Sequence, residues 1–131
     1  MSQPEKWKYE PDEVPKRKHA WEKDYAGFVI VRGVQVGKCP KGLDLDRAEG
    51  LISNGIRFFP KRWDKPYPKR IYVVYDGVLY RAEPTNPGVS YHGFPELPRE
   101  FHSLPKQIRD EILVRAQELG QLDQVKRWVS G

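Results

Sequence analysis

The sequence predicts an α+β domain built on a small, mostly antiparallel sheet. Three observations predict this class: an Asp-Gly pair between two alternating β-rich runs, apolar residues at helical spacing in three stretches, and glycines and prolines that separate these elements. A chain of 131 residues fits one domain of ordinary size. We expect that domain to span 25–131 and to follow a polar, mobile N-terminal arm over 1–24.

The first half of the domain predicts a hairpin near 28–39 and a helix near 44–54. Two β-rich runs lie on either side of Gly33, as expected of a hairpin. Asp44 is placed to cap the helix, whose apolar residues fall on one stripe. Gly55 is placed to end it.

The stretch "RIYVVYDGVLYRAEP" predicts a second hairpin near 70–83, because Asp-Gly is a favoured two-residue turn. This turn pairs Tyr75 with Val78, Val73 with Tyr80, and Ile71 with Ala82, on an almost wholly apolar face that we interpret as the core face. The other face pairs Val74 with Leu79, Tyr72 with Arg81, and Arg70 with Glu83. That second face is apolar only near the turn, and a register slip of one residue would bury its charges.

The last third predicts a turn centred on Pro87-Gly88, a short strand near 89–92 and two helices. The helices are expected near 104–119 and 121–129, where apolar residues recur at helical spacing. We expect all three helices of the domain to pack on one face of the sheet.

Positive charge is concentrated in one short stretch, "RFFPKRWDKPYPKR", over residues 57–70. The whole chain has a net charge of +5, and this stretch alone holds six cations and one acid together with four aromatic rings. We call it the basic-aromatic segment. A merely solvated surface would spread its charge more evenly, so the segment is the first candidate for function.

The basic-aromatic segment has the composition of a nucleic-acid contact. Phosphates attract lysine and arginine, and unpaired bases stack on flat rings. The candidate nucleic-acid-binding residues are Arg57, Lys61, Arg62, Trp63, Lys65, Tyr67, Lys69 and Arg70. The alternative interpretation is an irregular loop whose rings pack inward and whose charges are simply solvated.

His92 is the candidate for acid–base chemistry, since histidine transfers protons near neutral pH. RNA cleavage without a metal also needs a cation for the phosphate, and Arg81 on the neighbouring hairpin is the candidate. His102 is an alternative base. The competing interpretation of His92 is a histidine hydrogen-bonded in a turn or packed beneath the residues that follow it.

Several classes of site lack their sequence signals. The chain has one cysteine, Cys39, and no paired Cys motif, so we expect no zinc site, no other metal site and no cofactor. Phosphate-loop, HExxH and GxSxG motifs are absent from the sequence, and no run is apolar enough for a membrane span. A single cysteine suits a reducing compartment, so we expect a cytoplasmic location.

A small basic α+β domain with a helix before a hairpin-rich sheet, carrying "YRAEPTNPGVSYHG" near its end, resembles bacterial ribonuclease toxins of the barnase, colicin and RelE kind. The resemblance is architectural and covers roughly residues 27–130. It implies that Arg81, Tyr91 and His92 line an RNA cleft and form the catalytic group.

These features predict a nucleic-acid-binding domain that prefers RNA, with metal-independent ribonuclease activity of the toxin type as an extension. The alternative is a non-enzymatic protein–protein interaction module, an adaptor or inhibitor. Exposed Trp, Tyr and Arg also anchor protein interfaces, so a partner protein would bind the same basic-aromatic surface.

Overall fold

The computed structural model of the protein describes residues 7–9, 26–31, 34–38 and 45–130. Within these ranges lie seven strands and four helices. The strands are β1 (Lys8–Tyr9), β2 (Gly27–Val31), β3 (Val34–Lys38), β4 (Ile56–Phe58), β5 (Arg70–Tyr75), β6 (Val78–Asn86) and β7 (Ser90–Pro95). The helices are α1 (Leu45–Ser53), α2 (Pro98–His102), α3 (Lys106–Glu118) and α4 (Leu122–Val129).

Five strands form one sheet in the order β1-β7-β6-β5-β4, and β2 pairs with β3 in a separate antiparallel hairpin. All pairings in the larger sheet are antiparallel except that of β1 with β7. The predicted α+β class with a mostly antiparallel sheet is therefore confirmed. No helix among the described residues is long and apolar enough to cross a bilayer.

The hairpin of β5 and β6 has the predicted register. Tyr75 pairs with Val78 across the Asp76-Gly77 turn, and the pairing continues to Ile71 and Ala82. Both turn residues have positive φ, 51° and 77°, as a two-residue hairpin turn of this kind requires. The first hairpin is also confirmed, since β2 and β3 pair up to Val31 and Val34.

Both faces of the sheet are covered, which corrects two predictions. Helix α1 packs Ala48 and Ile52 on the face that includes Ile71, while α2, α3 and α4 pack on the opposite face. The prediction that all helices share one face is therefore wrong. The face predicted to be non-core is buried near the turn, where Tyr72 and Leu79 are fully buried beneath the C-terminal helices.

The boundary predicted at residue 25 is also wrong for residues 7–9. Trp7 is buried, and Tyr9 lies in the core as part of β1 at the edge of the sheet. The Tyr9 hydroxyl contacts both backbone groups of Gly93, accepting from its N–H at 3.1 Å and donating to its carbonyl at 3.2 Å. The remaining residues of the predicted arm, and the predicted cap Asp44, lie outside the described residues.

Three short elements, β1, β4 and α2, were not predicted, and the bounds of the predicted elements differ mainly in the last third. Strand β7 extends to Pro95, beyond the predicted 89–92, because it pairs with β6 along its whole length. The turn before it is as predicted, with the Val89 N–H donating to the Asn86 carbonyl at 2.9 Å. Gly55 follows α1, where an added Cβ would lie 2.4 Å from the Ile71 side chain, so glycine permits the close approach of helix and sheet.

Candidate nucleic-acid interface

The basic-aromatic segment begins in the edge strand β4 and ends in β5. Between the two strands, residues 59–69 form neither helix nor strand, as expected from their three prolines. Phe58 packs against Tyr72, with ring centroids 6.3 Å apart, whereas Phe59 is exposed. Of these two neighbouring rings, one therefore joins the core and the other faces solvent.

The middle of the basic-aromatic segment forms a tight turn over residues 60–63. The Trp63 N–H donates to the Pro60 carbonyl at 3.0 Å, and Arg62 adopts a left-handed φ of 70°. Such a φ is uncommon for a residue other than glycine. After this turn the Trp63 side chain contacts Tyr67, four residues further along the chain.

Trp63 and Tyr67 form a fixed pair of rings. The Trp63 indole N–H donates to the Tyr67 carbonyl at 2.6 Å, and the two rings meet edge to face with centroids 5.8 Å apart. Both side chains are half-buried. Because the indole N–H is already bonded, the exposed parts of these rings offer apolar surface for stacking.

The two rings line a groove on the surface of the protein. Its volume is about 330 Å³, and its lining residues are Trp63, Tyr67, Lys69, Arg70, Glu83, Pro84 and Pro87. We call it the Trp63 groove. Four of these residues were predicted from the sequence as nucleic-acid contacts.

Most cations of the basic-aromatic segment are exposed, and two of them, Lys69 and Arg70, line the Trp63 groove. Lys61, Arg62, Lys65 and Lys69 are exposed, and none of them forms an ion pair with a residue that the structure describes. Their charge is therefore available to an anion in solution. Arg57 differs, because its guanidinium lies 4.5 Å from the centre of the Trp7 ring and is half-buried.

Arg70 combines partial burial with a fixed position. Its Nη1 donates to the Tyr72 hydroxyl at 3.2 Å. Burial lowers the pKa of Arg70, but the bond to Tyr72 and the nearby carboxylates of Glu83 and Glu96 outweigh it and raise that pKa overall. Arg70 is consequently a permanent positive charge in the lining of the Trp63 groove.

The three predicted catalytic residues do not lie on one face of the sheet. Strand pairing places Arg81 opposite Phe94 and Glu83 opposite His92, so Arg81 and His92 share a face. Tyr91 points to the opposite face, where it is fully buried and its hydroxyl donates to the Pro68 carbonyl at 2.6 Å. Burial raises the pKa of that hydroxyl well above its usual range. Tyr91 therefore has a core position, away from the other two.

Arg81 is surrounded by carboxylates rather than open to a phosphate. Its Nε lies 3.2 Å from Glu83, and its Nη1 lies 3.4 Å from Glu96 and 4.0 Å from Glu100. The guanidinium also lies 5.0 Å from the centre of the Phe94 ring. These acids neutralise the charge that the predicted catalytic role requires.

The two candidate bases are both engaged with other groups. His92 is 9% exposed, and its Nδ1 lies 2.7 Å from the Thr85 hydroxyl. The His102 Nε2 lies 2.9 Å from the Val129 carbonyl at the end of α4. His92 lies within strand β7 rather than in a turn, and its role in proton transfer stays a prediction. The described residues also contain no group of His, Cys, Asp and Glu arranged to hold a metal ion.

Glu96 is the most deeply buried acid of the Arg81 cluster, with a side chain 1% exposed. Burial raises the pKa of this carboxyl from 4.5 to about 6, although Arg81 and the Leu97 N–H partly oppose the shift. The folded protein therefore binds the Glu96 proton more tightly than the unfolded chain does. This stabilises the fold below about pH 4.5, and the contribution is lost as pH rises through about 6.

We expect Glu96→Gln to remove this pH dependence. Relative to wild type, the free energy of unfolding of the variant should increase by about 2 kcal/mol between about pH 4 and pH 7. Urea unfolding of both proteins at the two pH values measures the difference. Glu118→Gln removes the same charge at an exposed site on α3 and serves as the control. An equal effect of Glu96→Gln at both pH values would contradict the role assigned to burial.

Three residues of the Trp63 groove were not among the predicted contacts: Glu83, Pro84 and Pro87. Glu83 and Pro84 lie on β6, and Pro87 lies in the turn that follows it. For Glu83 the sequence did hold a signal, because Glu83 was predicted to pair with Arg70 across the hairpin. The two prolines reach the groove through the tertiary fold, which no local pattern reveals.

Comparison of the chain with protein-family models, with curated proteins and with solved structures yields no significant match. The resemblance to small ribonuclease toxins stays a prediction.

Proposed function

We propose that the protein binds single-stranded nucleic acid, preferably RNA, through the Trp63 groove and the exposed cations of the basic-aromatic segment. One observation carries the proposal: Lys69 is exposed, forms no ion pair with a described residue and lines the same groove as the fixed rings of Trp63 and Tyr67. Three further exposed cations, Lys61, Arg62 and Lys65, lie within two residues of Trp63 along the chain. Exposed cations that follow a backbone, beside rings that stack bases, are typical of single-strand binding.

The proposal concerns binding and does not include RNA cleavage. Arg81 lies among three carboxylates, and Tyr91 lies on the other face of the sheet. A single strand is favoured over a duplex because stacking on Trp63 or Tyr67 requires an unpaired base. RNA is favoured because its loops, bulges and ends present unpaired bases that stack on aromatic side chains.

Salt dependence tests the electrostatic part of the proposal. The affinity of the protein for a single-stranded RNA should fall on the order of a hundredfold between about 50 and 200 mM salt, as expected for about five phosphate contacts. Replacing both Lys65 and Lys69 by glutamine should weaken binding about tenfold and make the slope of log K against log salt shallower by about 1.4. Fluorescence anisotropy with a labelled oligonucleotide measures both quantities.

A matched control changes the same charge elsewhere. Lys126 and Arg127 are exposed on α4, and replacing both by glutamine should change affinity and slope little. If both double variants weaken binding equally, the effect is one of net charge and the assigned surface is wrong. Binding that resists salt and does not distinguish RNA from other ligands would instead favour the protein-interaction alternative.

A further inference from the structure

A cation and a carboxylate lie on neighbouring strands in the lining of the Trp63 groove. The pairing of Ile71 with Ala82, continued by one residue, places Arg70 on β5 next to Glu83 on β6. Both line the groove, and the two form no ion pair with each other. The groove therefore presents hydrogen-bond donors and acceptors next to one another, where the edge of a ligand can reach both.

Arg70 and Glu83 are each positioned by a contact with another residue of the sheet. Arg70 donates through Nη1 to Tyr72, which leaves other guanidinium N–H groups for a ligand. Glu83 contacts Arg81 through Oε2, and its side chain is 35% exposed. A carboxylate has about four lone-pair sites, so the ion pair with Arg81 leaves capacity for two further hydrogen bonds.

The rest of the groove suits a flat ring. Trp63 and Tyr67 provide aromatic surface, and Pro84 and Pro87 add rigid apolar surface. The Tyr67 ring is packed against Gly88, within 3.5 Å of the position that a Cβ would occupy there. A ligand with a planar ring and a polar edge fits this combination of rings, prolines and charged groups.

We infer that the Trp63 groove selects guanine among the unpaired bases of the nucleic acid. The inference rests on the proposed function and specifies its ligand. Guanine alone offers two adjacent acceptors, N7 and O6, for the guanidinium of Arg70, followed by two adjacent donors, N1–H and N2–H, for the carboxylate of Glu83. Both charged groups are then satisfied by a single base.

The other bases satisfy the pair less completely. Adenine offers one donor at N6 to Glu83 and one acceptor at N7 to Arg70. Cytosine offers a single donor at N4, so Glu83 binds it through one bond. Uracil has one N–H between two carbonyl oxygens, and a carbonyl facing the Glu83 carboxylate is repulsive. The expected order of affinity is guanine first and uracil last.

The test uses uridine oligonucleotides of equal length that differ in one central base, titrated into the whole protein. A central guanine should raise the affinity about tenfold over uracil, the range expected when a base makes paired hydrogen bonds. Inosine, which lacks the 2-amino group facing Glu83, and 7-deazaguanine, which lacks the N7 acceptor facing Arg70, should each lose much of that gain. These ligand changes require no change in the protein.

Glu83→Gln provides the protein side of the test. The glutamine keeps one acceptor and the shape of the side chain, so binding to plain uridine oligonucleotides should persist while the guanine preference falls several-fold. Glu118→Gln removes the same charge on α3 and should keep the preference. If Glu83→Gln still binds uridine oligonucleotides, the variant is folded. If the variant does not fold, the comparison of guanine with inosine in the wild-type protein still tests the role of Glu83.

The outcomes separate this inference from the proposed function. If wild-type protein binds all oligonucleotides equally and with strong salt dependence, the guanine inference is overturned and the proposed function stands. If no oligonucleotide binds, both are overturned. A guanine preference that survives in Glu83→Gln and with inosine overturns the role assigned to Glu83.

Discussion

Replacing Trp63 by alanine is expected to weaken the binding of single-stranded RNA by about tenfold to a hundredfold, the range measured when a base loses its stacking partner. Two effects add in the same direction. The variant loses the ring on which a base stacks, and it loses the hydrogen bond that fixes the backbone at Tyr67. The Trp63–Tyr67 pair then no longer holds one wall of the Trp63 groove in place.

Trp63→Phe separates the two effects, because phenylalanine keeps a stacking ring and lacks the indole N–H. We expect its affinity for single-stranded RNA to lie between those of wild type and Trp63→Ala. Fluorescence anisotropy at a single salt concentration measures all three affinities. Urea unfolding of each variant checks that the change at this half-buried position leaves the domain folded. Unchanged binding by Trp63→Ala would remove Trp63 from the interface.

Local patterns predicted the elements of the fold well. The hairpin of β5 and β6 has every predicted pair between Tyr75–Val78 and Ile71–Ala82, because the two-residue Asp-Gly turn fixes the register and a slip of one residue would bury the charges at the strand ends. The short helix α2 and the strands β1 and β4 were not predicted, whereas the three predicted helices begin and end within a few residues of the predicted positions. These features depend on neighbours along the chain, which a single sequence displays.

The arrangement of the elements was less predictable. An amphipathic helix reveals its apolar stripe and not the face of the sheet that receives it. Tyr72 and Val74 lie on the face that becomes charged at Arg70 and Arg81, so alternation alone favoured the wrong assignment of that face. They are buried because the C-terminal helices cover the part of the face nearest the turn.

For the candidate site as well, the sequence revealed the features that neighbouring residues determine and did not reveal the contacts that depend on the tertiary fold. Composition located the basic-aromatic segment, since clustered cations and rings are visible in the sequence. Composition gave no sign that Glu96 and Glu100 neutralise Arg81, because that contact requires the chain after β7 to return beside β6. Arg57 was likewise assigned to the phosphate surface, although its contact with Trp7 spans fifty residues of sequence.

Trp7→Ala is expected to lower the free energy of unfolding by about 3–5 kcal/mol, the usual cost of truncating a buried aromatic side chain to alanine. Trp7 is 2% exposed, and its ring meets that of Tyr91 edge to face with centroids 5.6 Å apart. The Arg57 guanidinium covers the same ring at 4.5 Å. The variant would leave a cavity beside Tyr91 and remove a cation–π contact.

Urea unfolding followed by circular dichroism measures the effect, with Lys8→Ala as the control. Lys8 is the neighbouring residue on β1, is exposed, and should change stability by no more than about 0.5 kcal/mol. Equal, small effects of both variants would contradict the buried role of Trp7.

The same reasoning applies to a chain that begins at residue 25, the boundary that composition suggests. Such a chain loses Trp7, the Tyr9 hydroxyl that bonds Gly93, and the backbone bond from the Lys8 N–H to the Val89 carbonyl. It also exposes the edge of β7, whose side chains are buried along the whole strand. We therefore expect it to be at least as destabilised as Trp7→Ala, because residues 7–9 supply both an aromatic core side chain and the edge strand of the sheet.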